Sequence, residues 1–419
     1  MRKWLKRGAL ALLGVAVLAV VVWVGCFYYL EHALRQEIAQ LRMDKILLTY
    51  DELVPPVPDA ENAVPVLREL VGTIVPPPDD LTIPGSTAQD INSEEMERLS
   101  DWTRKNTHVF SGMKEVIARP RYRMEYPLLL RDIHQDTDSK IPLGNLFKLY
   151  KTKIYLLFKN KKISNAADHI IDFLRFCSLY EKSCTSHTEY AITLIFSGMT
   201  YGYIDAIISK YEISESQLNE IASLLDSLDI PRLIKQAIQG ELIFEYTLAL
   251  SPIDEHLSIL FSPKTIEVLY FYYRDDIFTD APKYIEIATS PPYSTKDSVD
   301  FLEKKHQHDL IPGHYTQAFP KHVFYPVINV ISRLDILRLK LALLRHLAKH
   351  KRLPETLQAI DTSILPVVPR DAYTGSDYVY TAEGVDSFTV TSEAYEQNWP
   401  EPYRVQTTYK KPATAHLPD

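Results

Sequence analysis

The chain reads as mainly α-helical: an N-terminal transmembrane helix, then a helical-hairpin array or irregular helical bundle, then a small C-terminal β-hairpin or meander. Three observations predict this. Residues 8–30 contain no charged side chain, and from about residue 93 apolar residues recur at helical spacing between short polar turns. There are only 13 glycines in 419 residues, which favours helices over a loop-rich or all-β chain.

Residues 1–7 form a basic cytoplasmic tail carrying Arg2, Lys3, Lys6 and Arg7. The apolar run 8–30 follows, and as a helix it spans roughly 34 Å against a hydrocarbon core of about 30 Å. The basic tail stays in the cytoplasm, with the first acid, Glu31, on the far side. A cleaved signal peptide has a shorter apolar region and a small-x-small site, whereas this run ends in Phe27-Tyr28-Tyr29-Leu30. Cys26 after Val24-Gly25 faintly matches a lipidation site, but Trp23 and Phe27 depart from that pattern. The reading is an uncleaved single-pass anchor in the cytoplasmic (inner) membrane, with the bulk of the chain extracytoplasmic.

Residues 31–53 continue as a juxtamembrane helix, with Leu34, Ile38, Leu41 and Ile46 lining one side. Residues 54–92 form a proline-rich connection, interrupted by one short helix from Asp59, its N-cap, to about Val71. Residues 93–350 are the helical domain. One helix is predicted from Ser93 to about Ala118, and another over 143–160, with Leu146, Leu149, Ile154 and Leu157 forming a buried stripe. Ser164 or Asn165 caps a helix over 165–182. Ser186 begins one reaching about Tyr211, whose Gly198 and Gly202 admit a close neighbour. Ser214-Glu215-Ser216-Gln217 is a capping box, and Asp229-Ile230-Pro231 opens the next helix. After the proline-broken stretch 251–320, a helix returns over 323–349.

Residues 351–419 change character. Tyr378-Val379-Tyr380 and Phe388-Thr389-Val390-Thr391 are short β-prone runs, placing a hairpin or meander at about 366–395 and a loose, proline-interrupted tail after it. Before them, Asp371 suits an Asx-type turn and Gly375 a positive φ.

Val57-Pro58-Asp59-Ala60-Glu61-Asn62-Ala63 after a membrane helix, with Pro369-Arg370-Asp371-Ala372-Tyr373-Thr374-Gly375 in the tail, resembles a group of uncharacterised bacterial single-pass exported proteins. That group implies no activity and transfers no catalytic residue. The tail alone is similar to the C-terminal region of type II secretion pseudopilins, which would imply assembly into a fibre. Here, however, the apolar helix lacks a preceding cleavage site, and residues 381–419 hold only scattered acids.

The formal charge of −8 excludes a broad nucleic-acid footprint. Glu241 and Glu245, one turn apart, are the candidate catalytic carboxylates. His306, His308 and His314 are the candidate metal ligands, although Lys304, Lys305 and Lys321 oppose a cation there. His346 and His350 read as an exposed basic helix end. Cys177 and Cys184 form a disulfide only if the chain turns between them, since on one helix their Cα atoms stand roughly 10 Å apart. No phosphate loop or nucleophile elbow occurs, and no cofactor is expected. The sequence thus points to a membrane-anchored interaction or scaffold protein of the cell envelope, with an envelope protein as partner. An envelope hydrolase acting on a polymer, or an accessory of a secretion assembly, is the alternative.

Overall fold

The computed structural model describes residues 51–84, 91–124, 143–182, 200–209, 213–230, 315–384, 387–393 and 404–410, with scattered positions in 14–50 and 232–294; over 315–327 and 404–406 it describes the backbone alone. The described chain is mainly helical and ends in a three-stranded antiparallel sheet of order β1-β2-β3. Among the described residues no helix is long and apolar enough to cross a membrane. Most of 8–30 falls outside them.

Helix α1 (Tyr50–Leu53) starts afresh where one helix over 31–53 was expected. Thr49 and Glu52 form a reciprocal capping box (Glu52 N–H to Thr49 Oγ1 3.2 Å, Thr49 N–H to Glu52 Oε2 3.1 Å), which breaks the chain at that point. Helix α2 (Ala63–Gly72) begins four residues later than Asp59. Pro58 C=O accepts from Glu61 and Asn62, so 58–62 is a turn, and the cap is Asn62. Asn62 also exchanges two hydrogen bonds with the Arg123 backbone (2.9 and 3.0 Å), fastening α2 to the segment after α4.

The expected single helix over 93–118 is two helices, α3 (Ser93–Lys105) and α4 (Thr107–Ala118). Asn106 separates them because its side chain has other partners: Nδ2 donates to Val75 O and Trp102 O, and Oδ1 accepts from Val75 N–H. Residues 54–84 are therefore not a mere connection. Val64, Leu67, Val71, Ile74 and Leu81 are buried despite the prolines between them, packing with α3 and α4.

Helices α5 (Leu143–Lys159) and α6 (Ile163–Glu181) form a tight pair linked through Lys161 at φ 57°. The pair is apolar on both sides. One side closes a core with α2, α3 and α4; the other closes a second core with the helical stretch 200–209, helix α7 (Glu215–Asp226), Leu228 to Ala237, and helix α8 (Tyr315–His350). Helix α6 is capped at Lys162 without a side-chain bond, not at Ser164 or Asn165. Ser164 has a different use. Ser214 caps α7 as expected, accepting from Gln217 N–H; the Gln217 Oε1 accepts in return from the Ser214 hydroxyl (3.1 Å), while its Nε2 donates to Ser164 O (2.9 Å), Ser164 Oγ (3.1 Å) and Asp168 Oδ1 (2.7 Å). Gly202 faces open space rather than a close neighbour, and Gly198 lies outside the described residues.

Helix α8 starts at Tyr315, eight residues ahead of the expected 323. Leu334, Leu337 and Leu341 enter the helical core, while Ile336, Leu339 and Leu343 enter a third core under the sheet. At about 100° per residue these sets occupy opposite sides of one helix. Strands β1 (Val379–Ala382), β2 (Ser387–Glu393) and β3 (Arg404–Lys410) pack Phe388, Val390 and Tyr409 onto it. The tail expected to be loose thus supplies β3, paired along its length with β2. Thr407 and Tyr409 turn inward while Thr408 and Lys410 face out, the alternation a half-buried strand requires.

Candidate functional site

Among the described residues, the most deeply buried charged side chains lie on or against the two flanks of α8, where its two apolar faces meet. Lys340 lies on one flank. Its side chain is 0% exposed, and its ammonium donates to Asp205 Oδ1 (2.7 Å), to Thr407 Oγ1 (2.9 Å) and to Ser209 Oγ. An ammonium has three hydrogens, and here each has one acceptor, drawn from two further elements, the stretch 200–209 and β3. Thr407 Oγ1 donates in turn to Asp205 Oδ1 at 2.8 Å, and Ser209 Oγ donates to Asp205 O at 2.5 Å. Burial pushes the Lys340 amine down, against the pull of Asp205. The Ser209–Lys340 contact has the residue types of a nucleophile and its base. A base needs a free lone pair, however, and this nitrogen spends all three hydrogens as donor beside a carboxylate. The arrangement is suited to fixing three elements in register.

Asp335 lies on the opposite flank, 6% exposed. It accepts from Tyr378 Oη (3.3 Å) and sits 3.5 Å from Arg338 Nη1. Burial, with the nearby Asp371 charge adding to it, pushes its carboxyl up to about 7 against the opposing pull of Arg338 and Tyr378. Arg338 is shared with the helical body: its Nη2 donates to Leu225 O and, at 3.0 Å, to Leu228 O, and its Nε is 3.5 Å from Asp226. Asp371 is 2% exposed and anchors the turn the sequence predicts, accepting from Tyr373 N–H (2.9 Å) with Gly375 at φ 72°. Ser392 Oγ donates to both Asp371 carboxylate oxygens at 2.9 Å, tying that turn to β2.

Two further buried titratable groups lie in the helical pair. Glu181 accepts from Asp229 N–H at 2.9 Å, and burial pushes it up to about 7. His169 is pushed down to about 4, first by burial and then by Lys153, with its ring edge-on to Phe110 at 5.0 Å.

The sequence-derived candidates fare differently. Glu241, Glu245, His306, His308, His314 and Cys184 lie outside the described residues. Cys177 is a free thiol buried near the end of α6, and burial holds it well above its ordinary range. The α6 helix simply continues past it to Glu181. His346 is not on an exposed helix end: it is 7% exposed, its Nδ1 accepts from Asp361 N–H at 3.3 Å, and its ring lies 4.4 Å from that of His350. Among the described residues no group of three His, Cys, Asp or Glu side chains is placed to hold a metal ion.

Lys340, Asp205, Asp335 and Asp371 are the residues that sequence reasoning passed over as partners. One signal was present: Lys340 interrupts the run Leu337 to Leu344 where an apolar residue would continue the pattern. Comparison of the chain with protein-family models, with characterised proteins and with solved structures finds no match.

Proposed function

We propose that the chain is a single-pass, membrane-anchored interaction or scaffold protein of the bacterial cell envelope, in which α8 joins a helical body to a C-terminal sheet as one platform. The Lys340 site carries this reading. A fully buried ammonium on α8, satisfied by two further elements, fixes the mutual register of all three, and buried polar groups are best attested in that role. Such rigidity suits a surface that presents itself to a partner without first having to order itself. The anchor draws support from Val15, Val17, Leu18, Val20, Val21 and Val22, which are helical and each at least 55% exposed; an apolar helix with no protein cover is stable in lipid.

The test is crosslinking in native membranes, followed by purification and mass spectrometry, with the full chain and with a chain lacking 353–419. A near-stoichiometric envelope partner that is lost with the deletion supports the reading. A full chain that purifies alone overturns it and directs attention to an activity screen on Glu241 and Glu245.

A further inference from the structure

The joint between α8 and the sheet buries two carboxyl groups, one from each side, and the charge of one acts on the other. Asp335 is contributed by α8 and Asp371 by the turn that leads into β1, and both are nearly inaccessible to water. From the sheet side, Tyr378 and Asp371 face Asp335. On its own helix Arg338 faces it from one turn later, and Ser332, also buried, stands one turn earlier. From the helical body comes Asp226, which competes for Arg338 together with the carbonyls of Leu225 and Leu228.

The charge balance follows from these contacts. Asp371 spends its oxygens on the Tyr373 N–H of its own turn and on Ser392 of β2. Arg338 divides its donors between Asp335 and the body. An ionised Asp335 therefore has a fraction of one cation and one long phenol bond to offset burial next to a second carboxylate. Burial and a like charge both favour the neutral acid. The other flank behaves differently, because Lys340 and Asp205 are opposite charges that hold each other.

We propose that this joint is a pH-sensitive latch, closed when Asp335 carries a proton and loosened when it ionises, with the helical body remaining folded throughout. An acid near 7 when buried and near its ordinary value when the joint opens titrates across the neutral range. Loosening should be local, since among the described residues α5 and α6 share no core with the sheet, and the contacts between sheet and body run through α8 and the Lys340 site.

The experiment is hydrogen exchange by mass spectrometry on the full chain in detergent micelles, corrected for the pH dependence of intrinsic exchange. With Glu181 replaced by Gln to remove its own titration from the helical pair, peptides covering 378–393 should lose protection by at least about tenfold between about pH 5.5 and about pH 8, while 143–181 stay constant. Asp335→Asn should keep 378–393 protected at both values. Asp371→Asn removes the opposing charge and should shift the transition to lower pH, whereas Tyr378→Phe removes a bond that favours the ionised acid and should shift it higher. Equal protection of 378–393 in the unaltered chain at both pH values overturns the latch. So does a transition that neither Asp371→Asn nor Tyr378→Phe moves, a comparison that does not depend on Asp335→Asn folding.

Discussion

Lys340 Nζ and Thr407 Oγ1 are 67 residues apart in the chain and 2.9 Å apart in space. With Asp205 they bring α8, the stretch 200–209 and β3 to one point. Replacing Lys340 with Met keeps the stem and removes the charge, leaving Asp205 partly open to water. Loss of a buried pair costs roughly 3–5 kcal/mol; with the Asp205 side chain 44% exposed, about 1–3 kcal/mol is expected here. Urea denaturation of Lys340→Met, Asp205→Asn and the double variant should give a double loss smaller than the sum of the single ones. Additive losses would mean that the pair is not coupled.

Asn106 is the hinge between α3 and α4, and it is completely buried. Asn106→Ala removes three hydrogen bonds and strands the Val75 N–H, while the Val75 C=O keeps the Trp102 indole at 2.7 Å. At about 1 kcal/mol per bond, plus the desolvation of groups left unpaired, a loss of about 3 kcal/mol is expected in chemical denaturation. Asn106→Leu, which extends the helical pattern, should fare no better, because the Val75 N–H stays unpaired.

Gln217 links the start of α7 to the start of α6. Gln217→Ala deletes the bonds to Ser164 and Asp168 while leaving Ser214 able to cap α7 through the backbone. A loss of about 1–2 kcal/mol is expected, with faster hydrogen exchange in the first turn of α6. Ser214→Ala should instead loosen α7 and cost about 1 kcal/mol. A variant at Gln217 that frays only α7 would contradict this division of labour.

Glu181 gives a stability prediction with a definite sign. Its carboxyl is raised from 4.5 to about 7 in the folded chain, so between those values the folded state holds a proton that the unfolded state has released. Stability therefore falls as pH rises from about 4.5 to about 7 and levels off above, by about 3 kcal/mol at 1.36 kcal/mol per unit. Glu181→Gln should make that part of the profile less steep, and Asp335→Asn should act on the overlapping range from 3.8 to about 7. A Glu181→Gln chain whose stability still falls as steeply would place the titration elsewhere.

Local chemistry was legible wherever a side chain acts within a few residues of itself. Ser214 as a cap, the Asp371 turn and the positive φ at Gly375 all followed from residue type and spacing. The break at Asn106 did not, because Lys105-Asn106-Thr107 holds no proline or glycine and the partner Val75 is 31 residues away. The last strand was hidden by Pro400, Pro402 and Pro412 around it, although Arg404 to Lys410 alternates as a strand should. The flanks of α8 were the least legible. Apolar residues all round a helix say that it is buried, not that its two sides serve different cores, and the partners of Lys340 are 67 to 135 residues away.

That division of α8 sets an order in time. As the chain is made, α8 can dock on α7 as soon as it emerges, since Leu334, Leu337 and Leu341 meet residues already synthesised. Ile336, Leu339 and Leu343 then wait for Phe388, Val390 and Tyr409, the last arriving some 60 residues later. During that interval a row of apolar side chains stays wet on an otherwise finished body, and a chain halted or clipped there presents itself to chaperones and proteases as unfinished. Completion of β3 is the step at which this protein stops looking nascent.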